Sequence, residues 1–271
     1  MLTDEKYRVI LNGVEFELPV NATMKSGVCV QALDSMFGQY MAMLTHYDKV
    51  AMIRTDIKMH DYTGKNTELS NFIDDFKDEV RRVYKAKAKK LNSKKKKGER
   101  KVNYDLKNIG VMWCREYEKA ENKNQHYHLV LLFDGHVVQS VWTISQIIKR
   151  MNNSLARYHI FKSHRMANKV QMIERDNPES FNDAFYWASY IAKERGKGYR
   201  DKTANDYSVS RIKPNMDKIE LVARRFNRPI FELTLCEPKQ PQIKRLTKRT
   251  TTRRCTKAVN DAQLDLFDNV A

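Results

Sequence analysis

The sequence predicts an α+β protein: a central antiparallel sheet with helices packed on one face. Two observations lead there. Three stretches alternate apolar and polar residues in the period-two manner of strands, at residues 49–59, 109–118 and 126–133, and the polar linker KAENKNQ joins the last two as a hairpin. Before, between and after them lie segments with apolar residues at helical spacing, at residues 27–46, 68–91, 143–157 and 181–197. No internal repeat is visible.

Taken in order, residues 1–20 alternate weakly, and Asn12-Gly13 marks a tight hairpin, read as an accessory ribbon. Val30, Leu33, Phe37, Met41 and Leu44 give the next segment a helical stripe that packs beside the sheet. The strand KVAMIRTDIKM follows, and its Asp56 is read as solvent-facing or salt-bridged, with approach to a metal as the alternative. The helix over 68–91 places Leu69, Phe72, Ile73, Phe76, Val80 and Val83 on one face, opening acidic and closing basic as the helix dipole favours. It runs into SKKKKGERK, where Lys94, Lys95, Lys96, Lys97 and Arg100 form either a solvated loop or a DNA-binding contact. Thr143 is read as the cap of the helix over 143–157, and a short strand is expected near Val170. Asp176-Asn177-Pro178 then breaks the chain. Residues 195–214 read as a polar loop, and 217–229 as a short basic helix.

Charge narrows the choice of partner. With 50 Lys and Arg against 33 Asp and Glu, the chain carries a formal charge of +17, which favours a polyanion because neutralised phosphates release counterions. No apolar run reaches the ~20 residues needed to span a bilayer, so no membrane partner is expected, and the reading is a soluble, cytoplasmic protein. Cys29, Cys114, Cys236 and Cys255 form no CxxC pair, which points to reduced thiols rather than a zinc ribbon or disulfide framework.

Two motifs carry chemistry. In HYHLVLLF, alternation puts His126, His128, Val130 and Leu132 on one face, and Tyr127, Leu129, Leu131 and Phe133 on the other. On the preceding strand Glu116 shares a face with Met112, Cys114 and Glu118, so a carboxylate there can close a three-ligand site with the two imidazoles. Downstream, FNDAFYWASYIAKERGK spaces Tyr186, Tyr190 and Lys193 by four and three residues, placing them on one helical stripe. A tyrosine oxygen can attack phosphorus and hold the product as an ester, and a neighbouring lysine can orient the phosphate. The alternative for the helix alone is that Phe185, Trp187 and Tyr190 pack a core.

The order HisTyrHis then Tyr-x-x-x-Tyr-x-x-Lys resembles the HUH endonucleases that start rolling-circle replication. More narrowly, it resembles the two-tyrosine superfamily, and VMWCREYEKA, HYHLVLLF and FYWASYIAK look like the inovirus-type phage replication proteins, over roughly residues 48–200. The resemblance implies His126 and His128 as metal ligands, with Glu116 favoured over Glu118 as the third because it follows Arg115 where this family tends to carry an acid. It implies Mg²⁺ or Mn²⁺ as cofactor, single-stranded or supercoiled origin DNA as substrate, and a 5′-phosphotyrosyl intermediate. Tyr190 with Lys193 matches the motif that single-tyrosine relatives keep, so Tyr190 is read as the nucleophile and Tyr186 as its partner.

Two other readings compete: a transposase or relaxase of the same chemistry, and a basic, non-catalytic DNA-binding regulator. The expected organisation is an accessory hairpin and helix at 1–47, an endonuclease domain at 48–235 and a disordered basic tail at 236–271. That tail ends in Gln263, Leu264, Asp265, Leu266 and Phe267, which resembles the QL[SD]LF motif by which bacterial replication proteins bind the sliding clamp. The implied setting is the cytoplasm of a bacterial host.

Overall fold

Strand pairing organises the molecule. The computed structural model describes residues 5–11, 14–21, 27–59, 65–117, 125–154, 161–167, 169–193 and 204–218. In chain order the elements are β1 (Glu5–Leu11), β2 (Val14–Val20), α1 (Val30–His46), β3 (Lys49–Met59), α2 (Thr67–Asn92), β4 (Gly110–Tyr117), β5 (Gln125–Asp134), α3 (Val141–Ser154), β6 (Phe161–Met166), β7 (Gln171–Glu174), α4 (Pro178–Ser189) and β8 (Tyr207–Val209). The main sheet runs β6-β3-β5-β4-β8, and β7 pairs with the other end of β3. Every pairing is antiparallel. The α+β class and the antiparallel sheet are as the sequence predicts.

Alternation divides the sheet into two apolar faces. Val50, Met52, Met112, Cys114, Val130 and Leu132 face α1 and α4, where Phe37, Tyr40, Phe181 and Phe185 meet them. Ala51, Ile53, Val111, Trp113, Leu129, Leu131 and Phe133 point the opposite way, into α2 and α3. Among the described residues the helices therefore cover both faces, two on each, and the expectation of one covered face is corrected. The reason lies in the strands: Val50 to Phe133 offer apolar side chains in both directions, and leaving either face in water would forfeit roughly 1.5–3 kcal/mol for each large side chain.

The boundary expected at residue 47 also falls inside a shared core. Ala32, Leu33, Met36, Phe37, Tyr40, Met43 and Leu44 of α1 are buried with the sheet, together with Leu18 and Val20 of β2. The β1–β2 hairpin is a separate two-stranded sheet, paired from Leu11↔Val14 outward as Asn12-Gly13 foretells. Three smaller readings change as well. Helix α3 begins at Val141, with Ser140 Oγ accepting from the Trp142 N–H at 3.2 Å, so Thr143 is not its cap. Strand β8 lies within the stretch read as loop; three residues are too few to show a period. Strand β6, unmarked in the sequence reading, occupies the far edge. Most of the basic helix expected at 217–229, and the whole tail at 236–271, lie outside the described residues.

Candidate active site

Where the apolar run of β5 ends, its sheet face turns polar. The register opposes Glu116 to His126 and Asp56 to His128, which brings side chains from three adjacent strands to one place on the α1/α4 face. Glu116 Oε2 lies 3.3 Å from His126 Nε2 and 3.2 Å from His128 Nε2. The two imidazoles meet edge to face, with centroids 4.9 Å apart. One ligand atom from each of the three residues falls within 4.8 Å of the others. With metal–ligand bonds of about 2.0–2.2 Å, neighbouring donors in octahedral or tetrahedral coordination sit about 3.0–3.5 Å apart, so the carboxylate-to-imidazole spacings suit a small divalent ion.

Asp56 holds the other side of His128. Its Oδ1 is 2.5 Å from Nδ1, so the ring sits between two carboxylates. Burial by itself would lower the His128 pKa, but the hydrogen bonds and charges of Asp56 and Glu116 outweigh it and raise it above the ordinary value. For Asp56 burial works upward, and His128 and Arg54 together pull the carboxyl below the usual range. An aspartate accepting from Nδ1–H leaves the Nε2 lone pair toward Glu116, the tautomer that a metal ligand requires.

Tyr190 closes the site from above. Its ring lies edge to face with His128, centroids 5.6 Å apart at 88°. Two cations face the same ring: Lys193 Nζ at 3.9 Å from its centroid and Arg54 Cζ at 4.3 Å. These contacts are made just past a helix end. Helix α4 starts sharply, with Asn177 Oδ1 accepting from the Ser180 N–H and Pro178 in the first turn. It stops at Ser189, and Tyr190 to Ala192 form one tighter 3₁₀ turn with Lys193 beyond it. The predicted stripe is corrected at its far end: Tyr186 is helical and Tyr190 keeps helical backbone angles (φ −50°, ψ −37°) in the 3₁₀ turn, whereas Lys193 lies beyond that turn with ψ 137°. Half-buried Tyr186 joins none of this cluster's contacts among the described residues.

The turn is fixed from a distance. Ser189 Oγ donates to the Tyr186 carbonyl at 2.7 Å and accepts from the Asn21 N–H at 2.8 Å. The Cys29 N–H donates to the Ala192 carbonyl at 2.8 Å, and Val28 pairs with Lys193 as an isolated bridge. The N-terminal segment, read as accessory, therefore braces the tyrosine turn. Of the three residues in the packing alternative, Phe185 is core, Tyr190 is half-buried and Trp187 is 53% exposed.

A family comparison agrees with this extent. The model of the YagK/YfjJ C-terminal domain matches residues 14–206, from β2 to the residue before β8. The chain belongs to that family. No curated protein and no solved structure matches it. The matched segment of this YagK/YfjJ domain contains Glu116, His126, His128, Tyr186, Tyr190 and Lys193 together with the bracing residues Asn21, Val28 and Cys29.

Other expected residues stand apart. Lys94, Lys96, Lys97 and Arg100 are exposed in the loop after α2, and Lys95 is half-buried there. Tyr127, between the two histidines, donates to Asn66 Oδ1 at the start of α2. With 26 residues in that helix, the loop at its other end lies about 39 Å away. Glu118 and the residues Gln263 to Phe267 fall outside the described residues. Arg54, at the site but unmarked in the sequence reading, sits on the strand whose alternation was clear, and its place opposite Val130 beside His128 follows only from the pairing register. No helix among the described residues is long and apolar enough to cross a membrane.

Proposed function

We propose that this YagK/YfjJ domain is a divalent-metal-dependent tyrosine DNA nickase and strand transferase that initiates rolling-circle replication of a phage-type element. The observation that supports it best is the contact of Tyr190 with His128 beside the Glu116–His126–His128 cluster. The three features the resemblance needs, an acid on one strand, His-x-His on the next and tyrosine with lysine on a later helix, meet in one place. The prophage association of the family is consistent with that setting.

In this reading the Tyr190 oxygen attacks a phosphodiester of single-stranded DNA. A Tyr–O–P bond forms as the P–O3′ bond breaks, and the departing 3′-oxygen takes a proton to become a hydroxyl that a polymerase can extend. The 5′ end stays esterified to the protein, so the strand is later rejoined without ATP. A cation held by Glu116, His126 and His128 would polarise the phosphate oxygens as a Lewis acid. Lys193, beside the Tyr190 ring, supplies positive charge next to the phenolic oxygen and the incoming phosphate. Asp56 keeps His128 oriented. Tyr186 is the second tyrosine of the relay, which would act after a round of synthesis while Tyr190 still holds the old end. The tail motif at Gln263 to Phe267 would recruit the host sliding clamp to the new 3′-hydroxyl.

The deciding experiment incubates the chain and Mn²⁺ or Mg²⁺ with end-labelled single strands carrying candidate origin sequences. A covalent protein–DNA adduct that disappears in Tyr190→Phe is expected. DNA binding without any adduct would instead support the non-catalytic regulator.

A further inference from the structure

Strand β3 reaches the site with two residues that neither motif contains. Arg54 and Asp56 rise on the same sheet face as His126, His128 and Val130, because β3 pairs Arg54↔Val130 and Asp56↔His128. Asp56 Oδ1 is shared: it lies 2.5 Å from His128 Nδ1 and 3.8 Å from Arg54 Nε. The guanidinium of Arg54 then lies over the Tyr190 ring, and that ring touches His128. The four side chains form a closed circuit, His128 to Asp56 to Arg54 to Tyr190 and back.

A circuit of this kind has one evident use. An ion pair at 3.8 Å whose side chains are 20% and 32% exposed contributes little to folding. A planar guanidinium can stack on a ring and answer a carboxylate at the same time, which an ammonium on a flexible stem cannot. The positive charge near the phenol is already provided by Lys193. What Arg54 adds is a fixed plane. Tyr190 stands in the single 3₁₀ turn that continues α4, and the backbone braces at Ala192 and Lys193 fix the turn but not the side chain.

We propose that Arg54 is a positioning residue that holds the Tyr190 ring against His128, and that Asp56 links the two by fixing both the guanidinium and the His128 imidazole. The inference rests on the reading of Tyr190 as nucleophile. Through it, β3 keeps the ligand cluster and the tyrosine ring in register. A displacement of about 1 Å at a reacting group costs on the order of 100-fold in rate, so a ring that swings free loses turnover before it loses binding.

The test uses the full chain and three variants, Arg54→Met, Arg54→Lys and Asp56→Asn, with thermal melts to confirm folding. Arg54→Met is expected to lower kcat for cleavage of an end-labelled single strand by about 10- to 100-fold, with KM changed by less than about threefold. Arg54→Lys restores only a minor part. In protein labelled with 3-fluorotyrosine, the Tyr190 fluorine line, identified by its loss in Tyr190→Phe, shifts in both Arg54→Met and Asp56→Asn. Mn²⁺ affinity, read by electron paramagnetic resonance, falls about 10- to 100-fold in Asp56→Asn and is unchanged in Arg54→Met. An unmoved Tyr190 line, a raised KM at constant kcat, or full rescue by Arg54→Lys overturns the proposal. Should Arg54→Met fail to fold, the lysine variant carries the same readouts. If the unaltered chain cleaves nothing, the nuclease reading fails by itself, and the fluorine line and the Mn²⁺ titration still decide whether Arg54 and Asp56 hold the ring and the imidazole.

Discussion

Strand β5 sends polar groups to both faces of one sheet, and their fates differ. On the α2/α3 face, Gln125 Nε2 donates to the Tyr127 hydroxyl at 2.6 Å, and that hydroxyl donates to Asn66 Oδ1 at 2.9 Å. Arg115, buried on the same face, pairs with buried Asp206 at 3.6 Å, and its backbone N–H donates to the Asp206 carbonyl at 2.7 Å. Burial pushes the Tyr127 phenol up to about 12 although Arg115 draws it down, so it stays a neutral donor. These groups tie the segments at residues 65–66 and 204–206 to the sheet. On the α1/α4 face, His126, His128 and Glu116 converge on one another instead, with Tyr190 over them. Polar residues that fasten backbone are structural; polar residues that converge on a common point under a tyrosine are the ones we propose to hold a ligand.

The largest effect should come from the converging side. Replacing both His126 and His128 with Ala is expected to lower strand cleavage by more than about 1,000-fold, as losing the Lewis acid removes several kcal/mol of transition-state stabilisation. DNA binding and the melting temperature should change little. Cleavage that survives excess EDTA would break the assignment.

Next is the fastening side, with the opposite signature. Arg115→Met leaves Asp206 buried without its guanidinium, a change expected to cost about 3–5 kcal/mol of stability. For a chain of this size that lowers the melting temperature by roughly 6–20 °C. A variant that melts normally yet loses Mn²⁺ affinity would move Arg115 to the functional side of the comparison.

Much of this contrast was legible in the sequence, and the missing parts share a cause. Alternation located β3, β4 and β5 to within a residue and assigned Tyr127 and His128 to opposite faces, because a strand period is a local property. It put Glu116 and Glu118 on one face, and the preference for Glu116 came from the family resemblance. A helix period shows that a helix has a buried face but not which side of a sheet that face meets, which is why the sequence alone puts all the helices on one face. Nor does local pattern reveal where α4 ends: Ser189 and Ala192 are held by Asn21 and Cys29, more than 160 residues away in sequence. Arg54 reads as an ordinary polar strand residue until the register sets it beside His128 and the turn brings Tyr190 over it.

A smaller effect separates the two faces by pH. In the metal-free protein the folded-state pKa of His128 is raised, so its imidazolium contributes stability that is fully present below the unfolded value and lost as pH rises through the folded one. Metal binding needs the deprotonated ring, so affinity runs the other way, rising with pH over the same window. Melts of the unaltered chain and His128→Gln should therefore differ most on the acid side without metal, and Mn²⁺ titrations should differ most on the alkaline side. Equal pH responses of the two proteins would show that the imidazole is not held between Asp56 and Glu116.

The smallest expected effect concerns the lysine loop, which belongs to neither face. It is a built turn: Asn92 Nδ2 donates to the Val102 carbonyl at 2.7 Å and its Oδ1 accepts from the Val102 N–H at 2.7 Å, Lys95 reaches the Arg100 carbonyl, and Gly98 takes φ 96°, where a side chain would be strained. Five cations are thereby presented together at the far end of α2, separated by about 39 Å of helix from Asn66, which Tyr127 between the two histidines contacts. At that distance charge is screened several times over by salt, whose Debye length is about 8 Å, so the loop cannot act on the scissile phosphate and can act only on DNA that extends to it. Changing Lys94, Lys96, Lys97 and Arg100 to Gln should thus leave kcat untouched on a short oligonucleotide. On a strand long enough to span the helix, each lost phosphate contact should flatten the salt dependence of binding by about 0.7. An equal loss on short and long strands would mean that the loop stabilises the fold or meets DNA by another route, and no loss on either would make it a solvated turn.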